Sequence, residues 1–179
     1  MKVLVIGSGA REHALVTSLL ADDEVTAVVV APGNAGMAQL VRTRPVAVAD
    51  PGAVASLAVD EDVDLVVVGP EVPLVAGVAD AVRDRGIACF GPSAAAAQLE
   101  GSKAFAKQVM AEAGVPTSMS HVCTSLAEVE AALDQFGPPY VVKDDGLAAG
   151  KGVVVTSDRA AAIAHARACL DKGAEAQMV

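Results

Sequence analysis

Four short runs built from Val, Leu and Ile limit what this chain can become: Val3–Ile6, Val25–Val30, Asp64–Val68 and Ile87–Phe90. A strand buried on both faces of a parallel sheet reads as a continuous apolar run, whereas a half-solvated strand alternates. Each run ends in a loop carrying Gly or Pro, and helical patterns lie between them. This grammar predicts an α/β fold, a doubly wound parallel sheet over residues 1–93. Hydrophobic residues make up 53% of the 179 positions but aromatics only 2%, so the core has to come from Ala, Val and Leu.

In an open parallel sheet, ligands bind beyond the carboxyl ends of the strands. The loops there would form one rim, and its candidate binders are Gly7, Ser8, Gly9, Arg11, Pro32, Gly33, Asn34, Gly69, Pro70 and Glu71. Such residues also serve ordinary strand-to-helix turns. Glu71 stands out because Pro70 and Pro73 restrict the backbone around it. Gly7-Ser8-Gly9 is half of a dinucleotide fingerprint. The third glycine position holds Glu12, however, and the second run leads into Ala31-Pro32-Gly33-Asn34 where a ribose-binding acid would stand. A nicotinamide-dependent oxidoreductase is therefore disfavoured, while a helix N-terminus that binds a single phosphate fits. Arg11 in the first helical turn opposes the helix dipole unless an anion pairs with it. His13 reads as a packing or capping residue.

The second half is organised around residues 139–155. Two β-branched runs, Tyr140–Val142 and Val153–Val155, flank the glycine-rich segment Gly146–Gly152, giving strand, loop, strand. Glycines admit close backbone approach to a ligand, and Lys143 and Lys151 add positive charge, which suggests a phosphate clamp. A Walker loop does not fit. Gly146 to Gly150 is one residue short, Gly152 stands where Ser or Thr should, and a Val run follows. Upstream, Ser102 reads as a helix cap, with Lys103 in the first turn as a second phosphate candidate. Met119–Thr124 reads as a strand, Leu126–Phe136 and Asp158–Leu170 as helices, Asp145 as a turn residue, and Gln177–Val179 as the start of a further strand. The small-residue junction Ala94–Ala97 marks a boundary between regions 1–93 and 94–179.

A net charge of −9 without a basic cluster argues against nucleic-acid or anionic-membrane partners. Cys89, Cys123 and Cys169 are widely spaced and form no CxxC, so reduced thiols and a cytoplasmic location are expected. The first apolar run is too short for a signal peptide, and none approaches the ~20 residues of a membrane span.

In order along the chain, MKVLVIGSGAREHA (1–14), APGNAG (31–36), VGPE (68–71), FGPS (90–93), QLEGSKAF (98–105) and KDDGLAAGKGV (143–153) closely resemble the phosphoribosylamine–glycine ligases. These are the glycinamide ribonucleotide synthetases of purine synthesis, enzymes of the ATP-grasp superfamily. The resemblance runs through essentially the whole chain but covers less than half of the family's length. It implies that the first ~90 residues help to hold phosphoribosylamine through Gly7–Gly9, Pro32–Asn34 and Glu71. It further implies that Lys103, Lys143, Gly146, Ala148, Ala149, Gly150, Lys151 and Gly152 meet ATP, within an incomplete ATP-grasp (α+β) lid region. The implied reaction joins glycine to phosphoribosylamine at the expense of ATP, with Mg²⁺ whose ligands are expected beyond Val179. No catalytic residue and no metal ligand is assigned within this chain, and a catalytically incomplete binding module is the alternative reading. Ala10 stands where the family often has glycine. Asp144 is a sharper departure, since the usual pattern is Lys-Ala-Asp-Gly. By strand alternation its carboxylate is expected to face away from the ligand of Lys143.

Overall fold

The computed structural model describes residues 1–147, 152–172 and 179. The chain divides into two compact units, Met1–Ala97 and Gln98–Val179. In the first, β1 (Lys2–Gly7), β2 (Ala27–Pro32), β3 (Arg42–Thr43), β4 (Leu65–Val68) and β5 (Ala88–Phe90) form one sheet in the order β3-β2-β1-β4-β5. All four pairings are parallel. β1 is central, with Val3 opposite Val28 on one side and Leu65 on the other.

Alternation along β1 serves two cores. Leu4 and Ile6 join residues of α2 (Pro51–Asp60), α3 (Glu71–Val75) and α4 (Val78–Arg83), including Val54, Leu74 and Val82. Val3 and Val5 join Val16 of α1 (Ala10–Leu20) and Met37. Helices thus cover both faces, the doubly wound arrangement expected. Val3–Ile6 are fully buried. At roughly 1.5–3 kcal/mol for each buried side chain, those four residues are a principal anchor of the sheet.

Two details differ from the sequence reading. The helical pattern between Asp64–Val68 and Ile87–Phe90 forms two helices, because Gly77 adopts φ 93° between α3 and α4. A left-handed glycine ends one helix and redirects the chain into the next. The short β3 was not anticipated. It has no apolar run, and its Arg42, with Arg44 just beyond, reaches the buried carboxylate of Glu61 instead.

The second unit contains α6 (Lys103–Glu112), α7 (Leu126–Phe136), the antiparallel pair β6 (Tyr140–Lys143) and β7 (Val153–Thr156), and α8 (Arg159–Leu170). α5 (Ala94–Gly101) spans the division between the units. The core of this unit joins Val129 and Leu133 of α7, Val142 of β6, and Ala162, Ala166 and Cys169 of α8. The strand expected at Met119–Thr124 does not form; Cys123 alone makes an isolated bridge. Only Cys123 in that run is buried, while Met119 and Val122 are exposed, so there is no apolar face to hold a strand down. Val179 exchanges two backbone hydrogen bonds with Lys143, each 3.0 Å, as in an antiparallel ladder. Residues 177 and 178 lie outside the described residues. Among the described residues no helix is long and apolar enough to cross a membrane.

Candidate functional site

In the first unit, the connection from β1 leads to β2 on one side, whereas β4 leads to β5 on the other. The crevice between the carboxyl ends of β1 and β4 is therefore the topological switch point, where ligands of such sheets bind. Gly7 closes β1, Gly9 is the N-cap of α1, and Gly69-Pro70 leads from β4 into α3. Across the crevice Arg11 meets Glu71 in a bidentate pair, Nη1 to Oε1 at 2.9 Å and Nη2 to Oε2 at 3.3 Å. Hydrogen bonding from Arg11 holds the Glu71 carboxyl below its usual range, and Glu71 pushes the guanidinium upward. The anion that Arg11 was expected to need is thus supplied within the chain.

Glu12 gives these glycines a purpose that sequence reading missed. Its carboxylate is 3% exposed and accepts from the Gly9 N–H at 2.7 Å. A Cβ on Gly7 would lie 2.6 Å from Glu12 Cγ, one on Gly9 2.8 Å from Oε2, and one on Gly69 2.2 Å from Oε1. Three glycines make room for one acid. The signal was the acid itself, standing where a dinucleotide fold has its third glycine.

The β2 loop is tied to the same rim. Gly33 N–H donates to Gly7 O at 3.1 Å, and Asn34 Nδ2 donates to Ser8 O at 2.9 Å. Asn34 Oδ1 also accepts from the N–H groups of Gly36 and Met37, so its carboxamide orders the loop whether or not it meets a ligand. The His13 ring lies against Gly36, with Cε1 2.7 Å from where a Cβ would stand. Gly7, Ser8, Gly9, Arg11, Gly69, Pro70 and Glu71 surround the crevice, and Pro32, Gly33 and Asn34 adjoin it beside β2.

The second unit gathers three of its lysines into one place. Lys103, Lys107 and Lys143 line a 400 Å³ cleft together with Gly146 and Leu147. Lys103 Nζ donates to Gly146 O at 2.8 Å, and Gly146 itself adopts φ 88°, open to glycine at little cost. Asp145 does more than turn the chain. Its carboxylate accepts from Lys103 N–H at 2.5 Å, Ala104 N–H at 3.1 Å and Ser102 Oγ at 2.8 Å, capping α6 alongside Ser102. Lys107 escaped the sequence reading, although its i+4 spacing from Lys103 puts both on one face of a helix. Lys107, Ser118 and Lys143 also border an adjoining 340 Å³ pocket whose other walls include Met119, Leu133, Phe136 and Val141. A cationic cleft thus opens beside an apolar pocket. Gly152 is described, but Ala148, Ala149, Gly150 and Lys151 lie outside the described residues. Among the described residues no three or more His, Cys, Asp or Glu side chains gather as a metal site would need. The described residues thus offer no such cluster for the Mg²⁺ implied by the resemblance.

Residues 1–100 match the model of the phosphoribosylglycinamide synthetase N domain, and residues 101–179 match that of the ATP-grasp (A) domain of the same enzyme. The chain belongs to the phosphoribosylglycinamide synthetase family. Among its relatives, the phosphoribosylamine–glycine ligase of Streptomyces coelicolor is 68% identical over 169 residues, which is 94% of this chain and 41% of that protein. The Mycobacterium tuberculosis H37Rv ligase is 58% identical over 178 residues, 97% of this chain and 42% of that one. The crystal structure of the Thermotoga maritima ligase aligns with a TM-score of 0.77 at 28% identity, over 99% of this chain and 42% of that one. The chain thus spans about two fifths of the length of these synthetases. An ADP complex of N5-carboxyaminoimidazole ribonucleotide synthetase, 16% identical with a TM-score of 0.71, shares the fold.

Proposed function

We propose that this chain contributes the phosphoribosylamine-binding and nucleotide-phosphate-binding elements of an ATP-dependent ligase that makes glycinamide ribonucleotide. The observation that carries this reading is the joining of a lysine-lined cleft to an apolar pocket in the second unit. A nucleotide has just that division, an anionic phosphate chain and an apolar base. Lys143, Lys103 and Lys107 supply positive charge for the phosphates, and Met119, Phe136 and Val141 suit the flat face of the base. Gly146 and Gly152, with Ala148, Ala149, Gly150 and Lys151 between them, are proposed to meet the phosphates of ATP. In the first unit, Gly7–Gly9, Arg11, Pro32–Asn34 and Gly69–Glu71 are proposed to hold phosphoribosylamine at the switch point.

The reaction proposed for the whole enzyme has two steps. A glycine carboxylate oxygen takes the γ-phosphoryl group of ATP, releasing ADP and giving an acyl phosphate. The phosphoribosylamine nitrogen then attacks the acyl carbon, the C–O bond to phosphate breaks, and the amine proton leaves as the amide forms. Positioned lysines favour the first step by offsetting charge on the phosphates. Exclusion of water protects the acyl phosphate from hydrolysis.

The test is nucleotide binding by calorimetry. Lys143→Met is expected to weaken ATP by tenfold or more, since a charge-assisted contact is worth about 1.5–3 kcal/mol. Arg11→Met should leave ATP binding within two-fold. Equal ATP affinity in wild type and Lys143→Met would remove the nucleotide assignment.

A further inference from the structure

The neck of the glycine-rich segment is where this chain departs from the pattern it otherwise follows. Side chains alternate along β6: Val142 is buried in the core with α7 and α8, Lys143 lines the cleft, and Asp144 is again buried, 9% exposed. The Asp144 N–H donates to Gly152 O at 2.7 Å, closing the neck. Its carboxylate forms an ion pair with Lys172, just past the end of α8. The same side of α8 carries His165, whose Nε2 lies 3.4 Å from Gly152 O and 3.6 Å from Cys169 Sγ. Both ends of the neck are thus held by one helix and the residue that continues its stripe.

A carboxylate withdrawn from water is costly unless a cation compensates it. With Lys172 in place the pair is neutral. Without it, the buried charge sits one residue from Lys143 and opposes any anion that Lys143 holds. We propose that Lys172 is a positioning residue for the nucleotide site, neutralising Asp144 so that the charge of Lys143 remains available to the phosphates. This rests on the nucleotide reading above, and it assigns a role specific to a chain carrying Asp144.

The experiment compares ATP affinity and thermal stability in wild type, Lys172→Met, Lys172→Arg, Asp144→Ala and the double variant Asp144→Ala/Lys172→Met, each at the protein's natural length. Lys172→Met is expected to bind ATP about three- to ten-fold more weakly, the scale of one uncompensated charge ~8 Å from several phosphate charges. The double variant and Lys172→Arg should return to within two-fold of wild type. Lys172→Gln, which keeps a hydrogen bond but loses the charge, should match Lys172→Met and carries the test if that variant does not fold. Unchanged ATP affinity in the charge-loss variants overturns the proposal, even if their melting temperature drops, because that outcome leaves only a structural role. A double variant as weak as Lys172→Met overturns it too. Absence of ATP binding in wild type removes the nucleotide reading itself, whereas intact binding with no effect at position 172 removes only this role.

Discussion

Glu71 joins the starts of two helices that the sequence places 60 residues apart, and its ionisation reports whether they are joined. Its folded-state value lies below the ordinary carboxylate value because Arg11 hydrogen-bonds its charged form. A lowered value contributes stability that is fully present above about pH 4.3, the unfolded value. That contribution is lost as the pH falls through the lower, folded value. An NMR titration of the Glu71 carboxyl should therefore give a midpoint below the ordinary one, moving back toward it in Arg11→Met. A Glu71 midpoint insensitive to that substitution would show the pair to be absent in solution. At this scale the sequence was legible in kind but not in partnership. Arg11 announced a missing anion, and Glu71 a constrained acid. That each answers the other required the sheet order, which brings the ends of β1 and β4 side by side. Gly7, Gly9 and Gly69 illustrate the converse. They were candidate binders at the rim, and the structure shows that a Cβ on any of them would also collide with Glu12.

The helices show how far local signals reach. α7 was legible because its whole start signal is local: Ser125 Oγ accepts from Glu128 N–H, and the Glu128 carboxylate accepts from Thr124 and Ser125 N–H groups, a complete capping box. α6 was legible only in part. Ser102 was a visible cap, but the second cap comes from Asp145, 42 residues away along the chain, and no local pattern encodes it. This acid also offsets Lys103, which stands unfavourably in the first turn of its own helix. Asp145→Ala is expected to lower stability by about 1 kcal/mol, the usual scale of a lost N-cap. It should also speed hydrogen exchange at the Lys103 and Ala104 amides selectively. Exchange unchanged at those amides would mean that Ser102 alone holds the helix start. The missing strand at Met119–Thr124 has the opposite cause, since β-type residues were present but only Cys123 found a core to enter.

At the scale of the molecule, three cores that share no residue, two in the first unit and one in the second, support two sets of candidate binders. The family and the α/β architecture were both readable from ordered motifs and from apolar runs that alternate with helical patterns. On the reading proposed above, residues 1–179 by themselves should bind ATP yet release no phosphate that depends on both glycine and phosphoribosylamine. They span only about two fifths of their relatives. A phosphate-release assay with each substrate omitted in turn would reveal the contrary.

The central place of β1 has a consequence in time. Lys2–Gly7 leave the ribosome before the strands that flank them, so one edge of β1 waits for β2 and the other for Leu65–Val68. At about 5–20 residues per second, the roughly 60 intervening residues take some 3–12 seconds to synthesise. During that interval a strand whose Val3–Ile6 end fully buried has at most one neighbour, and it is a segment a chaperone would be expected to cover.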